Sequence, residues 1–231
     1  MSWILVAALA SSRPAVAPPV WLTIPNCKGD AALSRHLPFM LPPRKLQETD
    51  FDSAGQSAAG RCLPYALLLQ MQQLGCDVPS GRDLRTIDGF RNSVLEFASA
   101  RAGDRWMSRC TQYGEFGDVV RAVAQLRGWV APRTPNWLAM RAWTARIRAI
   151  PREECDAAFL FAAAACHGLR IHVHYVEEGR GLVVTRFATP TSASEAFRRP
   201  ETDVHVGFVD NGDNSQHYVS LPPLWTSTAS F

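Results

Sequence analysis

From Cys62 to Leu74 the apolar residues Leu63, Leu67, Leu68, Met71 and Leu74 recur at spacings of three and four, which places them on one buried stripe of a helix. Pro64 is tolerated only in the first turn of that helix, where no backbone donor is needed, and Gly75 suits the position just past its end. Cys62 is thereby fixed at or just before the helix start. Asp83 to Ala100 carries Leu84, Ile87, Val94 and Phe97 at near-helical spacing, interrupted by Gly89. Phe116 to Leu126 reads as a third helix ended by Gly128, and Trp137 to Ile150 as a fourth, with Arg141, Arg146 and Arg148 on a solvated outer face. After Pro151, Glu153 and Glu154 occupy a first turn, where negative charge favours the helix dipole. Ala157 to Ala165 is apolar all round, as a helix central to the core requires, and Gly168 stops it.

Beyond Gly168 the period changes to two. Leu169 to Tyr175 alternates apolar and polar residues, as do parts of Leu182 to Phe187, Val204 to Val209 and His217 to Leu221. Helices followed by four strands predict an α+β protein, with the helices packed on a small, mainly antiparallel sheet. Upstream, Pro14, Pro18, Pro19, Pro25, Pro38, Pro42 and Pro43 forbid long helices. Residues 1–48 are read as a proline-rich arm and 49–231 as the domain. A small, polar loop from Asp50 to Gly60 leads into Cys62.

The chain of 231 residues is long enough to bury one substantial core, and its 47% apolar and 19% charged content is that of an ordinary globular protein. The formal net charge of +3 is spread over scattered arginines, with no run of like charge interleaved with aromatics, so no nucleic-acid partner is expected. No stretch reaches the roughly 18 apolar residues of a membrane span. Cys27, Cys62, Cys76, Cys110, Cys155 and Cys166 form no CxxC pair and no regular spacing, which argues against a zinc module and a disulfide scaffold. A reducing compartment, the cytoplasm, is expected. The apolar run from Met1 to Ala10, followed by Ser11 and Ser12, makes a secretory leader the competing reading, although no positive charge precedes it.

One candidate site stands out. A thiol becomes a nucleophile when a helix N-terminus and a nearby imidazole favour its thiolate, and a loop-to-helix junction also aims backbone donors at an oxyanion. Cys62 has that setting, with the backbone amides of Gly60 and Arg61 as candidate oxyanion donors. The base must come from elsewhere in the fold, and His217 begins a strand after the turn-forming run 210–215. No cofactor is needed for this chemistry. A weaker alternative is a metal on His172 and His174, which share a strand face, with Cys166 or His205 as a third ligand. Trp106, Trp129, Trp137 and Trp143 are read as packing residues.

The pattern resembles the ovarian-tumour (OTU) family of papain-like cysteine proteases, over roughly Phe51 to Leu221. Gly60-Arg61-Cys62-Leu63-Pro64-Tyr65-Ala66 is similar to the family's Asp-Gly-x-Cys-Leu-Phe/Tyr-x-Ala motif, Ala157 to Val173 to its core helix and strand, and Gln216-His217-Tyr218 to its His-Tyr strand. The resemblance implies a papain-like OTU-type fold, with Cys62 as nucleophile and His217 as general base. The substrate it implies is ubiquitin or a ubiquitin-like protein; a polyprotein substrate and a catalytically inactive ubiquitin-binding domain are the alternatives. Two positions depart from the family pattern: Ala59 stands where an Asp usually precedes the cysteine, and Val219 where an Asp or Asn often follows the histidine. Asp50, Asp52, Asp210, Asp213 and Asn214 are the remaining candidates to orient the imidazole. A dyad without a third member is chemically sufficient for a thiol, and some viral members of the family are similarly reduced. A pathogen origin would place the activity in host cytoplasm.

Overall fold

The computed structural model describes Gly55, Cys155 and residues 60–75, 86–108, 116–150, 157–188, 202–210 and 216–221. The proline-rich arm, most of the loop before Gly60 and the 210–215 turn after Asp210 lie outside the described residues. Among the described residues five α-helices and four strands follow one another: α1 (Cys62–Gln73), α2 (Ile87–Ala100), α3 (Phe116–Leu126), α4 (Asn136–Ala149), α5 (Ala157–His167), β1 (Leu169–Glu177), β2 (Gly181–Phe187), β3 (Thr202–Asp210) and β4 (Gln216–Ser220). A short 3₁₀ turn, Arg105–Ser108, lies between α2 and α3.

The helix α5 is the hub. Ala157 through Ala165 are all buried, with α2 on one side and β1 on the other. Alanine is the strongest helix former and has no side chain to hold neighbours away, so a helix of this composition suits a crowded centre. Phe159 meets Phe90 of α2 edge to face at 6.3 Å, while Phe161 meets Phe187 of β2 at 4.8 Å and Phe116 of α3 at 5.6 Å. Gly168, at φ 64°, turns the chain directly into β1.

Gly89 does not interrupt α2. It lies in the first turn, where its amide donates to the Oγ1 of the N-cap Thr86 at 3.0 Å. Arg91, two residues on, is buried and donates from one guanidinium nitrogen to the carbonyls of Ile147 and of Ile150, the latter at 2.9 Å. A buried cation at the carbonyl end of α4 satisfies groups that have no partner within the helix and complements its dipole. Trp143 of α4 is fully buried, as expected of a packing residue; Trp137 is not, being 46% exposed with Arg141 stacked 5.4 Å over its ring.

The sheet order is β2-β1-β3-β4. The outer pairings, β1 with β2 and β3 with β4, are antiparallel, whereas the central β1 and β3 run parallel, with His172 opposite His205. The sheet is therefore mixed, with β3 on the far side of β1 from β2, since no hairpin can join parallel neighbours. One face bears Ile171, Val173, Tyr175, Val204, Val206 and Phe208 and meets the helices. The other carries a small second cluster of Val176, Val209, Val219 and Leu221. This architecture belongs to the coarse α+β class.

Candidate functional site

Cys62 is the first residue of α1, and its placement follows from local chemistry. Gly60 takes a left-handed conformation, φ 65°, that a side chain would oppose, and Arg61 serves as N-cap without a side-chain capping bond. The first helical hydrogen bond runs from the Tyr65 amide to the Arg61 carbonyl at 3.1 Å. Pro64, lacking an N–H, sits in the turn that has no use for one. The Arg61 guanidinium turns aside to the carboxylate of Asp88, 2.7 Å away in the first turn of α2, so the starts of α1 and α2 are joined by an ion pair. Half-buried Cys62 is left at the positive end of a helix of 12 residues, where the dipole favours a thiolate.

The strand β4 forms one edge of the sheet and packs on α1. The backbone amide of Tyr218 donates to the Sγ of Cys62 at 3.5 Å. Two covalent bonds separate that nitrogen from the Cα of His217, so bond geometry keeps that Cα within about 6 Å of the sulfur. Along β4 the side chains alternate: Tyr218 and Ser220 face the helices, and His217 shares the opposite face with Val219. Tyr218 meets Phe208 edge to face at 5.0 Å, and Ser220 accepts a 2.8 Å hydrogen bond from the Gln70 side chain of α1. A sulfur contact and a buried side-chain bond, between residues 156 and 150 positions apart in sequence, thus join the two segments.

Val219 is fully buried in the second apolar cluster. The position two residues after His217 therefore serves packing and offers the imidazole no acceptor. Asp50, Asp52, Asp213 and Asn214 lie outside the described residues, as does the side chain of Asp210, whose backbone pairs with Gln216.

A second polar constellation occupies the same sheet face as His217, nearer the other end of the strands. His172 Nε2 is 2.7 Å from Asp203 Oδ1, the His172 and His205 rings stack with centroids 4.7 Å apart, and His174 Nε2 is 2.9 Å from His205 Nδ1. The parallel register of β1 and β3 brings together three of the side chains considered as metal ligands. Cys166 is not among them: its thiol donates to the Ser93 carbonyl between α2 and α5. Among the described residues no three His, Cys, Asp or Glu side chains converge as a metal ion requires. Burial, then repulsion from His205 and His172, lowers the His174 pKa to about 4; burial and His172, opposed by Asp203, lower that of His205 to about 4.

The sequence pattern passed over Gln70, Asp88 and the Arg91 cap. Gln70 did leave a signal, since it falls seven residues after Leu63 on the apolar stripe of α1, and a polar side chain there needs a buried partner. The chain matches no protein-family model, no curated protein and no solved structure.

Proposed function

We propose that this chain is a cysteine peptidase, with Cys62 as nucleophile and His217 as general base, acting on the C-terminus of ubiquitin or a ubiquitin-like protein. The observation that carries the reading is the Tyr218 amide on the Cys62 sulfur, which sets the histidine-bearing strand beside a cysteine at a helix start. His217 lies on the strand face opposite the helices, so the reading requires its imidazole to reach round the edge of β4 to that thiol. The thiolate attacks the scissile carbonyl, backbone amides of the Gly60 to Cys62 turn receive the oxyanion, and the imidazolium gives its proton to the leaving amine. Water then cleaves the thioester, returning the thiol and releasing a carboxylate. Substrate specificity rests on the motif resemblance, and the papain-like OTU-type fold is part of the same proposal.

The test is a ubiquitin carrying an electrophile at its C-terminus, incubated with the full chain. The reading expects a covalent adduct on Cys62, absent in Cys62→Ala and strongly reduced in His217→Ala. An adduct on another cysteine, or labelling indifferent to His217, overturns it. Labelling by short peptide electrophiles but not by the ubiquitin probe would redirect the reading to polyprotein cleavage.

Val219 favours one second reading. Its burial leaves His217 without the expected acid two residues on, which suits a domain that binds ubiquitin without cleaving it. That reading expects saturable binding of ubiquitin with no adduct.

A further inference from the structure

We infer that Gln70 is the positioning residue of the Cys62 site, setting the spacing between the thiol and the β4 backbone. The inference rests on the peptidase reading for its catalytic meaning. The geometry is independent of it. Gln70 lies two turns along α1 from Cys62, and its side chain is 1% exposed. Its Nε2 donates to Ser220 Oγ at 2.8 Å, and its Oε1 accepts from the His205 backbone amide at 3.3 Å. One amide thus grips β4 and β3 together. The Leu221 amide closes the same corner by donating to the His205 carbonyl at 3.0 Å.

Apolar packing alone would leave α1 free to slide or roll against the sheet edge, because hydrophobic contact is not directional. A buried amide with both ends satisfied is directional, and misplacing it by about an ångström leaves its polar atoms unpaired and desolvated. The helix is rigid, so fixing Gln70 fixes Cys62. The sulfur contact with Tyr218, two residues before Ser220 on β4, is then held by the same grip. A thiol accepts hydrogen bonds weakly, and 3.5 Å to a backbone amide is an interaction that must be imposed from outside.

The test measures two properties of the full chain. One is the pH midpoint of Cys62 alkylation by iodoacetamide, read at Cys62 by mass spectrometry; the other is the hydrogen-exchange rate of the Tyr218 amide. The variants are Gln70→Leu, Ser220→Ala and the double substitution. Ser220→Ala removes one oxygen and keeps the strand, so it remains informative if Gln70→Leu fails to fold. The wild-type midpoint should lie below the ordinary thiol value of about 8.5. Each single variant should raise it by about one unit, roughly a threefold to fourfold loss of alkylation rate at a pH below both midpoints because the more basic thiolate is also the better nucleophile, and should accelerate Tyr218 exchange. The double variant should be no worse than Gln70→Leu, because both changes remove the same bond. Unchanged exchange and midpoint in a folded Ser220→Ala variant overturn the positioning role and leave the peptidase reading standing. A wild-type midpoint near 8.5 counts against the peptidase reading instead; the positioning role then stands or falls on Tyr218 exchange alone.

Discussion

His174 and His205 face each other across the parallel seam of the sheet, with Nε2 of the first 2.9 Å from Nδ1 of the second. Only one proton fits between them. The other nitrogen of His174, Nδ1, is buried without a hydrogen-bond partner among the described residues, and a lone pair there costs less than an orphaned N–H. His174 is therefore the donor to His205. Protonating both rings would place two like charges in contact inside the sheet.

Stability should fall on mild acidification. Both imidazoles have pKa values lowered from 6.5 to about 4 in the folded chain, so between those limits the unfolded chain binds protons that the folded chain refuses. The contribution is fully present above pH 6.5, is lost as the pH drops toward 4, and changes no further below that. Denaturant unfolding from pH 7.5 to 4.5 should show an uptake of about one to two protons. His174→Gln should flatten the dependence, and an equally steep profile in that variant would count against this account.

The proposed peptidase reading expects hydrolysis of ubiquitin extended by a fluorogenic amide, and its loss in Cys62→Ala. In His217→Ala it should drop by roughly 10²–10⁴, the usual contribution of a positioned acid and base. Equal rates in His217→Ala and the wild type would remove the imidazole from the mechanism.

Gly117 is required by the approach of α3 to α4. A Cβ at this position would lie 2.6 Å from Asn136 Nδ2 and 2.7 Å from Asn136 Cβ. Gly117→Ala should destabilise the fold by about 1–3 kcal/mol despite the better helix propensity of alanine, measured by chemical denaturation. Asn136→Gly in the same background should restore part of the loss. Asn136→Ala should restore less, because it keeps the Cβ.

Thr86→Ala removes the acceptor for the Gly89 amide at the start of α2. The expected cost is about 1 kcal/mol, and Thr86→Ser, which keeps the hydroxyl, should lose only a fraction of that. A melting temperature unmoved by both substitutions would show that the cap adds nothing.

Local pattern was sufficient for the helices and strands because their periods are written in neighbouring residues. The stripe Leu63, Leu67, Leu68, Met71 located α1 to within a residue of its end, and the proline at position 64 and the glycine at 75 placed Cys62 at its start. The alternation of Leu169 to Tyr175 located β1, and Gly168 its beginning. Gly89 misled for a physical reason: glycine weakens a helix interior but is harmless in a first turn whose amide finds the Thr86 hydroxyl.

Among the described residues the sequence by itself determined where each α-helix and most strands lie, and that a cysteine heads α1 while a histidine lies at the start of β4. Only the tertiary structure decided that β1 and β3 run parallel, which stacks His172 on His205, and that the Tyr218 amide meets the Cys62 sulfur. The division has one cause. Periodicity and capping are set by covalent neighbours, whereas the parallel pairing of β1 with β3 joins residues 33 positions apart and Gln70 meets Ser220 across 150, spans that no local window contains.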